Sequence, residues 1–221
     1  VAPLPDGRLM VTCYDAGTMV TVSPTGETVA TADQAGDGTK LVGPNDLAVD
    51  RDGGVWFTAS GPWESGPIVG RVFRIAPDGA ITSAADDLHY ANGVALSPDG
   101  KTLYVNESEA YRTIAFTIGA DGTLVDRRLF VRLADVLDGA SGHYADGVKV
   151  DAQGNLWIGQ YSEGRIVEVD PSGKLVRTIE VPSAAAPNLA FGPDGTVYVM
   201  AVDDLAGTDS YRGKVYAVTP D

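Results

Sequence analysis

The hexapeptide HYANGV, which ends at Val94, returns as HYADGV, ending at Val148. Both copies set a short oxygen-bearing side chain, Asn92 or Asp146, before Gly-Val, and both begin at one of the chain's two histidines, His89 and His143. Asn45, in PNDL, shares the register: Asn45, Asn92 and Asp146 each lie eight residues before a turn glycine, Gly53, Gly100 and Gly154. Brought to one point, a carboxylate and two amide oxygens make a hard-cation site suited best to Ca²⁺, with Mg²⁺, Mn²⁺ or Zn²⁺ as alternatives. One carboxylate leaves a dication incompletely neutralised, so positions stay open for water or substrate. A single Asn or Asp ahead of a strand ordinarily caps a turn. Three in register ask for more. Asn188 lies seven residues before Gly195, out of phase with the others, and is expected to hydrogen-bond in the channel or touch substrate.

Other groups with chemical capacity stand nearby in sequence. His89 and His143 each precede a proposed ligand by three residues and are placed where a proton shuttle at the rim would sit, or where a duplicated loop merely packs beside Tyr90 and Tyr144. Trp63, in the connection GPWESGPIVG, is a candidate lid over a small ring or a surface aromatic; Trp56 and Trp157 are expected to pack within the sheets. No G-x-S-x-G elbow occurs, and Cys13 falls in a strand where a buried, inert thiol is expected.

The elements that would position these groups repeat five times. APLPDG, NDLAVDRDG, NGVALSPDG, DGVKVDAQG and NLAFGPDG each end at a turn glycine, at intervals of 41 to 54 residues. A second apolar run follows each turn (LMVTCY, VWFTAS, TLYVNES, LWIGQY, VYVMAV), and a third closes at another Pro or Gly turn. A fourth, such as ETVATA or LVRTIEV, is visible in the first four copies. Short β-branched and aromatic runs bounded by Gly, Pro and Asp are strands joined by hairpins. Four antiparallel strands per repeat of this length predict an all-β propeller, with blades near 1–42, 43–88, 89–142, 143–184 and 185–221 of a single domain. Inner strands of a propeller run alike around one channel, so Asn45, Asn92 and Asp146 are expected to converge at one mouth.

Composition narrows the partners. A formal charge of −14 repels phosphate backbones, and no apolar run reaches the roughly 18 residues of a membrane helix, so neither nucleic acid nor membrane is expected. The chain is expected to be soluble. With Cys13 alone, an internal disulfide and a Cys-built zinc site are excluded, and the compartment is left open with a slight preference for the cytoplasm. Oligomeric state is not legible.

GPNDLAVDRDGGVWFT, ANGVALSPDGKTLYVNES and YADGVKVDAQGNLWIGQYSEGRIVEV resemble the SMP-30/gluconolactonase/LRE-like family, and its bacterial lactonase branch in particular. The resemblance implies a six-bladed propeller that binds a divalent metal, usually Ca²⁺, and hydrolyses lactones. It implies metal-binding roles for Asn92 and Asp146, and a metal or substrate contact for Asn45. The family's remaining ligand, a Glu in an EGP-type motif of its first blade, has no counterpart here, and WESGP around Glu64 is in the wrong repeat; the chain is expected to correspond to blades two to six. A non-catalytic NHL-like binding module and a strictosidine-synthase-like enzyme are the competing readings.

Overall fold

The structure is a computed structural model that describes residues 1–63, 67–138, 144–203 and 212–219. It is an all-β propeller fold of successive antiparallel sheets. The first sheet orders β1 (Ala2–Pro3), β2 (Leu9–Cys13), β3 (Thr18–Val22) and β4 (Thr28–Ala32). The second contains β5 (Pro44–Val49), β6 (Val55–Ala59), β7 (Gly70–Ile75) and β8 (Ile81–Leu88), and the third β9 (Ala91–Leu96), β10 (Thr102–Glu107), β11 (Arg112–Ile118) and β12 (Leu124–Arg132). β13 (Ala145–Val150), β14 (Leu156–Gln160), β15 (Arg165–Val169) and β16 (Leu175–Glu180) follow. β17 (Ala185–Phe191), β18 (Val197–Val202) and β19 (Gly213–Val218) complete the order, joined to the fourth sheet by one bridge, Gln160 to Ala186. Among the described residues helix is confined to a 3₁₀ turn, Ser108–Ala110, and one α turn, α1 (Leu133–Val136). Among the described residues no helix is long and apolar enough to cross a membrane.

Alternation along the second strand of each sheet explains why the sheets stack. Successive side chains point to opposite faces. In β6, Val55, Phe57 and Ala59 join the core shared with the first sheet, while Trp56 joins the core shared with the third. β10 repeats this, with Leu103 and Val105 on one side and Tyr104 on the other. β14 does so with Leu156 and Ile158 against Trp157. A sheet buried on both faces reads as a continuous apolar run, and β6 is buried at all five positions. The outer strand β4, by contrast, is exposed along most of its length. Trp56 and Trp157 are both packing residues, 1% and 5% exposed. Cys13 is half-buried instead of fully enclosed.

The inner strands β5, β9, β13 and β17 lie side by side, each against the next. All four carry the same irregularity. Pairing shifts between Pro44 and Leu47, between Ala91 and Val94, between Ala145 and Val148, and between Ala185 and Asn188. In β5, β9 and β13 two residues therefore oppose one on the second strand: Asn45 and Asp46 across Thr58, Asn92 and Gly93 across Asn106, Asp146 and Gly147 across Gly159. Such bulges bend a strand and re-aim a side chain. Here they turn the first residue of each pair toward the mouth.

Candidate metal centre

Asn45, Asn92 and Asp146 line one cavity of about 250 Å³, together with Ser108 and the rings of Trp63, Tyr90, Tyr144 and Tyr161. Residues 45, 92 and 146 are thus neighbours in space although about fifty positions separate each from the next.

A hydroxyl relay fixes the orientation of the Asn92 amide. Ser108 Oγ donates to the Ala145 carbonyl at 2.6 Å, which uses its only proton. It can then only accept from Asn92, so the atom 3.1 Å away is the amide Nδ2. Asn92 is 6% exposed, and its remaining side-chain atom, Oδ1, is buried with no hydrogen-bond partner. The preceding repeat is built the same way: Asn45 Nδ2 donates to Ser60 Oγ at 3.0 Å, and Ser60 Oγ donates to the Ala91 carbonyl at 2.7 Å. Each serine ties its own inner strand to the next and takes up an amide nitrogen, not the amide oxygen. One layer below, Thr58 Oγ1 donates to the Asn92 carbonyl at 2.5 Å and Asn106 Nδ2 to the Asp146 carbonyl at 2.7 Å. Replacing Ser108 with Ala strips partners from the Asn92 amide and the Ala145 carbonyl together. Chemical denaturation should register a loss of about 2 kcal/mol.

Asp146 is the site's carboxylate. Burial pushes its pKa up to about 7, the negative charge of Asp46 adds to the rise, and the Asn92 amide and the Lys149 ammonium partly offset it. Asp46 lies one residue past Asn45, where Oδ1 accepts from the Leu47 N–H at 2.9 Å and Oδ2 from Lys149 Nζ at 3.0 Å. This ion pair lies close enough to Asp146 for both charges to act on its carboxyl. Burial, and then the Tyr14 hydroxyl, raise the phenol of Tyr90, so it stays protonated.

Other sequence candidates fall elsewhere. Asn188 occupies the layer of Asp46, not that of Asp146: its Oδ1 accepts from the Leu189 N–H as Asp46 does from Leu47, and its side chain lies against Gly147. His89 is half-buried beside the third sheet, its backbone N–H donating to Glu107 Oε1 at 2.9 Å, and it does not line the cavity. His143 lies outside the described residues, as does Glu64. Trp63 lines the cavity and packs edge-on against Tyr90 at 4.6 Å. Sequence does not single out Ser60, Ser108, Asp46, Lys149 or Tyr161, and it reads Tyr90 and Tyr144 only as neighbours of the histidines. The one legible signal was the serine that closes both VWFTAS and TLYVNES.

Among the described residues no cluster of three His, Cys, Asp or Glu side chains forms a metal site, as expected for a donor set with one carboxylate. The orphaned Oδ1 of Asn92 and the desolvated carboxyl of Asp146 are nonetheless the donors that a hard cation satisfies.

Residues 1–203 match the SMP-30/Gluconolactonase/LRE-like region. The chain belongs to that family. Within it the chain is similar to regucalcin of Xenopus laevis, 29% identical over 68% of this chain and 52% of the relative, and to the lactonase drp35 of Staphylococcus aureus, 27% identical over 80% and 54%. Among solved structures of the family, a gluconolactonase from Xanthomonas campestris superposes with a TM-score of 0.76 at 29% identity, covering 90% of this chain and 67% of that one. The chain spans about half the length of the curated relatives it matches.

Proposed function

We propose that the protein is a metal-dependent hydrolase of small lactones whose cation is held by Asn92, Asp146 and Asn45. The observation that carries this reading is the buried, unpartnered Oδ1 of Asn92, a residue whose amide nitrogen Ser108 holds and which lines one cavity with Asp146. A pentonolactonase from Haloferax volcanii, 28% identical over 68% of this chain, and the family membership support the reaction class. A bound Ca²⁺, or Mg²⁺, Mn²⁺ or Zn²⁺ in its place, supplies Lewis acidity toward the lactone carbonyl oxygen. Asn92 and Asn45 present neutral oxygens, so the positive charge is only partly cancelled by Asp146. Asp146 holds the attacking water and accepts its proton as the ring opens. Trp63, Tyr90 and Tyr144 narrow the entry, bind the ring and limit bulk water. The Asp46–Lys149 pair tunes the charge beside Asp146.

The raised pKa of Asp146 gives this reading a pH signature. Without metal, the folded carboxyl holds its proton to about pH 7 while the unfolded one loses it near 3.8. The folded state binds the extra proton, so metal-free stability is highest at the acid end of this window and falls as pH rises through it. Cation and proton compete for the same oxygens. Apparent Ca²⁺ affinity, followed by calorimetric titration, should climb about tenfold per pH unit below pH 7 and level off above it.

Direct assay of hydrolysis, with and without EDTA, tests the proposal. Ca²⁺ or Mn²⁺ should raise Tm and restore ring opening of a simple lactone to the stripped protein. If cations change neither quantity, a non-catalytic propeller module, in the manner of NHL repeats, replaces the hydrolase.

A further inference from the structure

Tyr14 reaches from the end of β2 to residues of two other repeats. Its ring lies over Gly43, where φ is +65° and an added Cβ would stand 2.8 Å from Tyr14 Cε2, so a residue without a Cβ is what seats it. Its hydroxyl donates to the Gly61 carbonyl at 2.9 Å. A phenol has one proton, so toward the Tyr90 hydroxyl, 3.1 Å away, the Tyr14 oxygen can only accept. Ser60 Oγ is the other hydroxyl oxygen beside Tyr90, and its proton goes to the Ala91 carbonyl. Tyr90 thus stands next to two hydroxyls that can take a hydrogen bond from it and give it none.

Tyr90 is fixed in this place from both ends. Its backbone is left-handed, with φ of 55°, which is unfavourable by about 1–2 kcal/mol for a residue with a Cβ. Such conformations persist where surrounding bonds over-determine them, and they gather at ligand clamps. The Tyr90 carbonyl accepts from the Ser108 N–H at 3.2 Å, and Trp63 packs edge-on against its ring. The residue lines the inner cavity with Asn45, Asn92 and Asp146. Burial, the Tyr14 hydroxyl and the charge of Asp146 keep its phenol neutral. A neutral phenol whose proton is committed to the wall has lone pairs to offer a ligand, and no hydrogen.

We infer that Tyr90 is a specificity-determining residue whose hydroxyl oxygen accepts a hydrogen bond from the lactone, so that a ring bearing an O–H or N–H donor is preferred to one whose substituent of similar size cannot donate. The inference rests on the lactonase reading and deepens it to a substrate class. Selection here is by polarity and not by bulk. Fluorine is close to hydroxyl in size but carries no proton, and against the Tyr90 lone pairs it presents a second negative dipole end. A site that pairs with a substrate hydroxyl disfavours the analogue lacking it, and one neutral hydrogen bond corresponds to about tenfold in kcat/KM.

The α- and β-hydroxy-γ-butyrolactones and their two fluoro counterparts measure the preference with the Ca²⁺-loaded protein. Dividing each kcat/KM by the rate of spontaneous hydrolysis removes the ring's own reactivity. At one ring position at least, the hydroxy compound should exceed the fluoro compound about tenfold, and Tyr90→Phe should bring that ratio close to one. Tyr14→Phe keeps a ring over Gly43 and removes the same hydroxyl contact, but leaves Tyr90 its oxygen and Ser60 to take its proton. The ratio should therefore stay near its wild-type value. A wild-type ratio near one at both positions, a ratio that survives Tyr90→Phe, or one that Tyr14→Phe abolishes as well overturns the assignment. If none of the lactones is hydrolysed, the lactonase reading fails by itself. Calorimetric binding of the same four compounds then decides: wild type must favour a hydroxy compound over its fluoro counterpart about tenfold, and Tyr90→Phe must not.

Discussion

Asp146→Asn should lower lactone hydrolysis by about 10²- to 10⁴-fold, the range associated with loss of a positioned general base, and abolish the rise in Tm that Ca²⁺ produces. The substitution keeps the side chain's shape and removes its charge and basicity. Its effect on the metal-free protein should have the opposite sign. Asp146 is desolvated and repelled by Asp46, so above about pH 7 the wild-type apoprotein carries an unfavourable buried charge that the Asn variant lacks. The variant apoprotein should melt at a higher temperature than wild type at pH 8 and close to it at pH 5. A carboxylate that merely capped a turn would show a loss of stability in both conditions and no link to Ca²⁺. Thermal melts of both proteins at the two pH values, with and without Ca²⁺, separate the cases.

Gly93→Ala should destabilise the protein by about 3 kcal/mol and abolish cation binding with it. A Cβ at this position would stand 2.4 Å from the Asp146 carbonyl oxygen, 2.5 Å from Val148 N and 2.7 Å from the Gly147 carbonyl carbon. All three are backbone atoms of β13, which cannot rotate aside as a flexible side chain does. β9 and β13 must part, carrying Asn92 away from Asp146. Gly100→Ala supplies the comparison: its φ is +72° and nothing lies within 4 Å, so only local backbone strain of about 1 kcal/mol is expected, with the site intact. Denaturant unfolding and Ca²⁺ titration of the two variants give the contrast directly.

Sequence carried the fold well because the propeller's grammar is local. Each strand is a short apolar run closed by a Gly or Pro turn, and the runs VWFTAS, TLYVNES and LWIGQY appear as β6, β10 and β14. It carried the metal-site candidates because a constant distance to a turn glycine, repeated in three blades, survives as a constant place around the channel. Asn188 shows how sharply that rule works: one residue of phase puts its side chain in the layer of Asp46, against Gly147. What escaped was non-local. Lys149 and Asp46 are 103 residues apart and pair only once β5 and β13 approach the same axis. The serine relay joins one repeat to the next: Ser60 donates to the Ala91 carbonyl and Ser108 to the Ala145 carbonyl, so the acceptor of each lies outside the repeat that holds the serine. The aromatic contacts bring Trp63 and Tyr111, from loops with no shared spacing, to Tyr90 and Tyr144, which hold one place in the repeated hexapeptide.

The central claim is that Asn92, Asp146 and Asn45 bind one divalent cation. Crystals of the protein soaked in Mn²⁺, with diffraction recorded at the manganese absorption edge, put it to the most direct test. The account predicts an anomalous peak in the inner cavity within about 2.6 Å of an Asp146 carboxylate oxygen and of Asn92 Oδ1. A map with no peak there at saturating Mn²⁺, or with the ion bound only elsewhere, contradicts it.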